Sequence, residues 1–196
     1  MAIAARRLGL REIFSLPDGV FLEGGDVIPF AYYGRRCLLV GYGPRSTRDG
    51  IDFLQTAALP EYADEIIAIR LAPWRMNLDG GFVPVTEDLV VSDTRSIVEA
   101  ELISSASRAK IDLFEMLRDL KMDVIETTPE ESVYCQSCNC LCVGQRQIIC
   151  YDLSPRVASL ISRYDVRLHR IPGVELIKGR GGPRCMSRPI YLKPPR

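Results

Sequence analysis

The sequence has no net charge. Lys+Arg and Asp+Glu each number 25 among 196 residues, so the formal charge is zero. Without a basic excess there is no general electrostatic grip on nucleic acid, and no such partner is expected. Long apolar runs are also missing. None reaches the ~20 residues needed to cross a bilayer, so no membrane partner is expected either. The opening stretch, MAIAARRLGLREIF, has no apolar signal core followed by a small-residue cleavage site. A cytoplasmic, reducing location is the expectation. Seven cysteines, an odd and clustered set, do not make a disulfide framework. Histidine is almost absent. His169 is the only one, and nothing in its stretch VRLHR places it beside another reactive group.

What is present fits one ordinary domain. The length allows a sizeable core, and 47% apolar with 26% charged residues is usual for a folded globular chain. Ala2 to Leu10 reads as a helix tail stopped at Gly9, and Arg11 to Leu16 as a short strand ending in the turn Pro17-Asp18-Gly19. On this reading the chain begins in the middle of a structural unit. Val20 to Phe30 is a strand interrupted at Glu23-Gly24-Gly25-Asp26, and Arg36 to Val40 a second strand. Ser46 or Thr47 caps a helix running to about Ala58, with Ile51, Leu54 and Ala58 at helical spacing. Glu65 to Leu71 is a buried strand.

The pattern then recurs. Asn77-Leu78-Asp79-Gly80-Gly81-Phe82-Val83 echoes Phe21-Leu22-Glu23-Gly24-Gly25-Asp26-Val27, both reading x-Leu-acid-Gly-Gly-x-Val. Asp88 to Ser92 is a strand, Ser107 to Leu120 a helix and Asp123 to Glu126 a closing strand. A shorter third copy has strands at Cys138 to Val143 and Gln147 to Tyr151. Its helix runs from Ser154 to Ser162, capped by Ser154 and started by Pro155, and Val166 to Arg170 closes it. The segment around Cys185 opens a further unit. The units span about 20–71, 77–126, 138–170 and 181–196. A ββαβ unit at this period points to a repeat architecture, a ring of blades. The alternative is a single α+β sheet with coincidental Gly-Gly turns.

In a ring of blades, matching strand starts face one axis. Glu23, Asp79 and Cys185 hold that place in their units, so two carboxylates and a thiol converge. Paired carboxylates can hold a planar guanidinium bidentately, and the bound cation would lower the pKa of a nearby thiol. Attack on the central guanidinium carbon then becomes feasible. Arg45 can pair with a substrate carboxylate. Cys185 lies in Gly-Arg-Gly-Gly-Pro-Arg-Cys, where the arginines favour thiolate. Taken alone, it reads better as a buried, inert cysteine in a last strand.

Four motifs, LEGGDV (22–27), VGYGPRST (40–47), MNLDGGF (76–82) and GGPRCMSRP (181–189), resemble the guanidine-modifying superfamily. That superfamily comprises arginine deiminase, dimethylarginine dimethylaminohydrolase and the amidinotransferases. The resemblance covers nearly the whole chain. It implies an α/β (α+β) fold, a partial five-bladed ββαβ propeller of pentein type, with about three blades and the opening of another. It implies that Cys185 attacks the guanidinium carbon of arginine or a relative, giving a thiouronium-type intermediate. Glu23 matches the acid that partners the family's catalytic histidine. Asp79 matches a guanidinium-binding aspartate, and Arg45 the arginine on the substrate carboxylate. Asp26, in the same substrate-binding motif, suits a structural role. No cofactor is implied.

Two departures stand out. Asn77 occupies the family's histidine position, and asparagine cannot shuttle a proton near neutral pH. The family chain also starts about two blades earlier, where a second guanidinium-binding aspartate lies. The expectation is therefore a C-terminal-type portion, or a chain whose Met1 is internal. Self-association to a homo-oligomer, or a partner subunit supplying the missing blades, would cover the open strand edges. A pseudoenzyme that keeps the guanidine pocket without turnover, or a plain scaffold, stays open beside the enzyme. Cys135-x-x-Cys138-x-Cys140-x-Cys142 offers half a zinc site, but no second pair completes it. Alternation of Cys138, Cys140 and Cys142 on one strand face reads instead as core packing, with no metal.

Overall fold

The computed structural model describes residues 6, 7, 9 and 12–188. β1 (Val27–Tyr32) and β2 (Arg35–Tyr42) form an antiparallel hairpin, and α1 (Arg48–Ala57) carries the chain to β3 (Glu65–Leu71), parallel to β2. β3 reads EIIAIRL, the near-continuous apolar run of a strand covered on both faces. Its alternation sends Ile66 and Ala68 to one core with Ile51, Leu54 and Ala58 of the α1 segment. Ile67, Ile69 and Leu71 face another core with Phe82, Val90, Leu113 and Leu117.

The second unit repeats the path. β4 (Phe82–Thr86) and β5 (Leu89–Ser92) are antiparallel, and the chain returns in β8 (Asp123–Glu126), parallel to β5. Between them the expected helix over Ser107–Leu120 is corrected. β6 (Ile97–Ile103) and β7 (Arg108–Ile111) form a hairpin that extends the first sheet to the order β1-β2-β3-β6-β7, and α2 covers only Leu113–Asp119. The cause is local hydrogen bonding. Ser104 Oγ accepts the N–H groups of Ala106 and Ser107 and closes a turn. Asp112 then takes the N–H groups of Phe114 and Glu115 as the helix cap.

α3 (Pro129–Val133) follows, a short helix absent from the sequence expectation although Thr128 and Glu131 form a complete capping box. The third unit comprises β9 (Leu141–Gly144), β10 (Gln147–Tyr151), α4 (Pro155–Ile161) and β11 (Arg167–Ile171). β9 and β10 are antiparallel and β10 and β11 parallel, as in the other units. Val83, Val85, Leu89 and Val91 share a core with Ile148, Val157 and Ile161 of this unit. The second sheet is thus buried on both faces.

Three further expectations change. β9 starts at Leu141 rather than Cys138, so Cys138 and Cys140 are not on a strand face with Cys142. They precede the strand and are buried in the shared core. Residues 12–17 form no strand, although the turn at Asp18-Gly19 is present; Arg11 lies outside the described residues. The expected helix tail Ala2–Leu10 falls outside them too, apart from residues 6, 7 and 9. Among the described residues no helix is long and apolar enough to cross a membrane.

Phe82 is completely buried between the first two sheets. Phe82→Ala should lower the unfolding free energy by about 3–5 kcal/mol in a denaturant titration. Val98→Ala, at an exposed position, should change it by under about 0.5 kcal/mol. Equal effects would contradict this placement of the core.

Candidate functional site

The two Leu-acid-Gly-Gly motifs each fold into a 3-10 turn, the second starting two motif positions earlier than the first. Gly24–Asp26 and Leu78–Gly80 are each a single 3-10 turn, placed just before β1 and β4. The turns pass each other at Gly25. A side chain there would put its Cβ 3.1 Å from both Asn77 Cβ and Asp79 Oδ1, so the glycine lets the two motifs meet.

Asp26 joins them. It is fully buried, and its Oδ1 accepts the Leu78 N–H at 2.7 Å while Oδ2 accepts Ser46 Oγ–H and, at 3.0 Å, Asn77 Nδ2–H. Burial pushes its carboxyl up to about 6, against the opposing pull of these hydrogen bonds. Thr47 is the residue that precedes α1, but neither it nor Ser46 caps the helix with its side chain. The Ser46 hydroxyl instead serves Asp26 and accepts the Glu23 N–H at 2.9 Å.

Asn77 bridges the acids. Its second Nδ2 contact is Glu23 Oε2 at 2.9 Å. Glu23 Oε1 takes Arg45 Nε at 2.9 Å and Nη2 at 2.8 Å. The Asn77 amide, with Arg45 adding to it, holds the Glu23 carboxyl below its usual range despite slight burial. Arg45, expected on a substrate carboxylate, is thus paired within the site.

The other half surrounds Cys185. Its Sγ lies 3.5 Å from Asp79 Oδ2 and 3.7 Å from Oδ1. Asp79 is nearly fully buried, and Arg184 Nη1 donates to its Oδ2 at 2.8 Å. Burial first, and the Asp79 charge second, push the Cys185 thiol up to about 11; hydrogen bonding from Asn139 opposes them. The flanking arginines therefore do not make a thiolate in this arrangement, contrary to their effect as read from sequence.

Asn139 is the functional residue that sequence reasoning missed. It is completely buried. Oδ1 accepts the N–H groups of Gly182 at 3.1 Å and Cys185 at 2.9 Å. Nδ2 donates to Cys185 Sγ and to the Asp79 carbonyl, both at 3.1 Å. All four hydrogen-bonding positions of the amide are used. Gly182 has to be glycine, because a Cβ there would lie 2.6 Å from Asn139 Cβ. The available signal was an amide between two cysteines, Cys138-Asn139-Cys140, at the edge of an apolar run.

The structure therefore brings Glu23, Asp26, Arg45, Asn77, Asp79 and Cys185 into one neighbourhood. His169 stays outside it, on β11, where Nε2 pairs with Gln147 Oε1 at 3.2 Å. Among the described residues no group of three or more His, Cys, Asp or Glu side chains is arranged to hold a metal ion. A carboxylate against a thiol, in contact with an acid–amide pair, can hold a planar cation beside the sulfur.

Comparison with known proteins gives the following. A family model described as arginine deiminase matches residues 17–191. The arginine deiminase of Borreliella afzelii is 26% identical over 192 residues, covering 86% of this chain and 46% of that protein. The arginine deiminase of Rhodococcus jostii (strain RHA1) is 29% identical, covering 88% and 47%. The chain spans about half the length of the curated relatives it matches. Among solved structures, the product-bound N-terminal domain of ArgZ, an arginine dihydrolase from the ornithine–ammonia cycle in cyanobacteria, superposes with a TM-score of 0.74 at 20% identity. It covers 97% of this chain and 63% of that one. An adduct of dimethylarginine dimethylaminohydrolase gives 0.64 at 18% identity, covering 87% and 58%. At these identities the two structures establish a shared fold.

Asp26 supplies a pH test. Its folded pKa is raised from 3.8 to about 6, so its stabilising contribution is full below about pH 4 and is lost as pH rises through about 6. Asp26→Asn removes that dependence. The stability of the natural chain relative to the variant should fall by roughly 2–3 kcal/mol between about pH 4 and pH 7. A difference that stays flat across this window would contradict the buried, raised carboxyl.

Proposed function

Because the chain belongs to the arginine deiminase family, we propose that it acts on the guanidino group of arginine or a close relative. The reaction is hydrolysis of deiminase type, or amidino transfer, with Cys185 as nucleophile. The observation that carries this reading is the Cys185 Sγ lying 3.5 Å from the buried Asp79 carboxylate. A guanidinium bonded through two N–H groups to Asp79 would bring its central carbon to the sulfur. The same cation would offset the Asp79 charge that helps hold the thiol up to about 11, so substrate assists in making the thiolate.

The thiolate attacks the central carbon. The S–C bond forms, a C–N bond breaks, and ammonia or an alkylamine leaves with a proton. Water or an acceptor amine then attacks the thiouronium carbon, and the C–S bond breaks to return the thiolate. Both outcomes share the first half and differ only in the second acceptor. Arg45 is assigned to a substrate carboxylate, exchanging its Glu23 partner for it. Asp26 is assigned to hold the two turns together. The cytoplasm is the proposed location. A second copy or another subunit is the proposed source of the remaining pocket wall. No cofactor is invoked.

Proton transfer is the weak step. Asn77 fills the family's histidine place and has no titratable proton, while Glu23 is held as a carboxylate. The absent acid–base help is worth about 10²–10⁴-fold. This observation also favours a second reading, a guanidine-binding module that binds without turnover.

Asn77→His should raise citrulline formation from arginine by about 10²–10⁴-fold, and Cys185→Ser should abolish it in both backgrounds. A haloamidine should add its mass at Cys185. Arginine binding in calorimetry, with no product from either form, would establish the binding-module reading. An unlabelled Cys185 alongside other labelled thiols would remove the nucleophile.

A further inference from the structure

We propose that Arg184 determines which ligands enter this site, because its own guanidinium occupies the carboxylate that a substrate must use. The inference rests on the assignment of Asp79 as the guanidinium-binding acid. Arg184 Nη1 donates to Asp79 Oδ2 at 2.8 Å and Nη2 donates to the Val27 carbonyl at 3.2 Å. Its side chain is 19% exposed and that of Asp79 1%. The resident guanidinium therefore covers a carboxylate that would otherwise be buried and unpaired, a costly state.

Two features make it a displaceable occupant rather than a fixed strut. First, the turn around Cys185 does not depend on the Arg184 side chain. The Arg184 N–H bonds the Asn139 carbonyl at 3.3 Å and its carbonyl accepts the Ser187 N–H at 3.0 Å. Asn139 separately holds the N–H groups of Gly182 and Cys185. The side chain can leave while the nucleophile stays in place. Second, its grip on Asp79 is single. Oδ1 receives no arginine N–H, and the second arm of the fork goes to a backbone oxygen. A ligand with two coplanar N–H donors can engage both carboxylate oxygens and outcompete it. A primary ammonium, one point charge, would only exchange one contact for another. Arg184 thus sets a threshold that guanidinium and amidinium groups pass and simple amines do not.

The test compares 2-chloroacetamidine, which carries an amidinium, with neutral 2-chloroacetamide, reading Cys185 alone by peptide mass spectrometry. In both reactions the S–C bond forms as the C–Cl bond breaks, chloride leaves, and the thiol proton passes to buffer. Arg184→Gln should raise the amidine-to-amide rate ratio by about tenfold or more, the worth of one charge-assisted hydrogen bond. Arg184→Lys keeps Asp79 paired but offers only a point charge, so it should raise the ratio by a smaller factor. A thermal-shift series with millimolar guanidinium chloride gives a readout independent of Cys185. It should stabilise either variant at a lower guanidinium concentration than it does the natural chain. Unchanged or lower ratios in the variants, or no selective stabilisation, would show that Arg184 only organises Asp79 and would overturn the proposal. A Cys185 that reacts with neither reagent, in variants that guanidinium still stabilises, would instead count against the nucleophile while supporting the threshold.

Discussion

The site depends on the side-chain amide of Asn139. It is completely buried, and its donor and acceptor positions are filled by groups from two turns, three from Gly182–Cys185 and one from Asp79. Through it the turn carrying Asp79, from the start of the second unit, is tied to the turn carrying Cys185, far along the chain. A buried amide must be fully bonded or it destabilises the fold. Satisfying Asn139 therefore fixes where the sulfur sits relative to the carboxylate. Asp26 does the corresponding work on the other side, joining the first two Gly-Gly turns through Leu78, Asn77 and Ser46.

Around these struts the polar groups have been left in a particular state. Glu23, Asn77 and Arg45 satisfy one another, and Arg184 satisfies Asp79. The thiol of Cys185, an exposed residue whose sulfur lies against the buried Asp79 carboxylate, is held protonated. Each of these pairings is one a cationic ligand with a carboxylate tail would exchange rather than add to. On the proposed function, the free site stays neutralised internally and would become reactive through substitution of partners. That would be a physical route to selectivity, because only a ligand that replaces the lost bonds would gain the thiolate.

Much of this was legible in the sequence, and the reasons for the rest are local. The strands EIIAIRL, DVIE and QIICY were plain because apolar runs bounded by turn residues have few alternatives, and they recur at Glu65–Leu71, Asp123–Glu126 and Gln147–Tyr151. The convergence of Glu23, Asp79 and Cys185 followed from the repeated motif. The spacing of Ile111, Phe114 and Leu117 is helical across the end of the Ile97–Ile111 hairpin, which is why Ser107–Leu120 reads as one helix; the hydrogen bonds of Ser104 and Asp112 that close the turn and cap the helix leave no trace in that spacing. Asn139 was hidden among cysteines that drew attention as metal ligands. The Arg184–Asp79 pair joins residues 105 positions apart, and local pattern carries no information about such a partner.

The central claim is that Cys185 bonds to the carbon of a guanidinium held on Asp79. It is tested most directly by mixing the protein with arginine, quenching in acid and weighing the peptide that contains Cys185. Asn77 cannot deprotonate an attacking water, so on the proposed mechanism a thiouronium adduct should accumulate on Cys185 and vanish in Asp79→Asn. Arginine consumed without that adduct, or product formed by Cys185→Ala, would contradict the account.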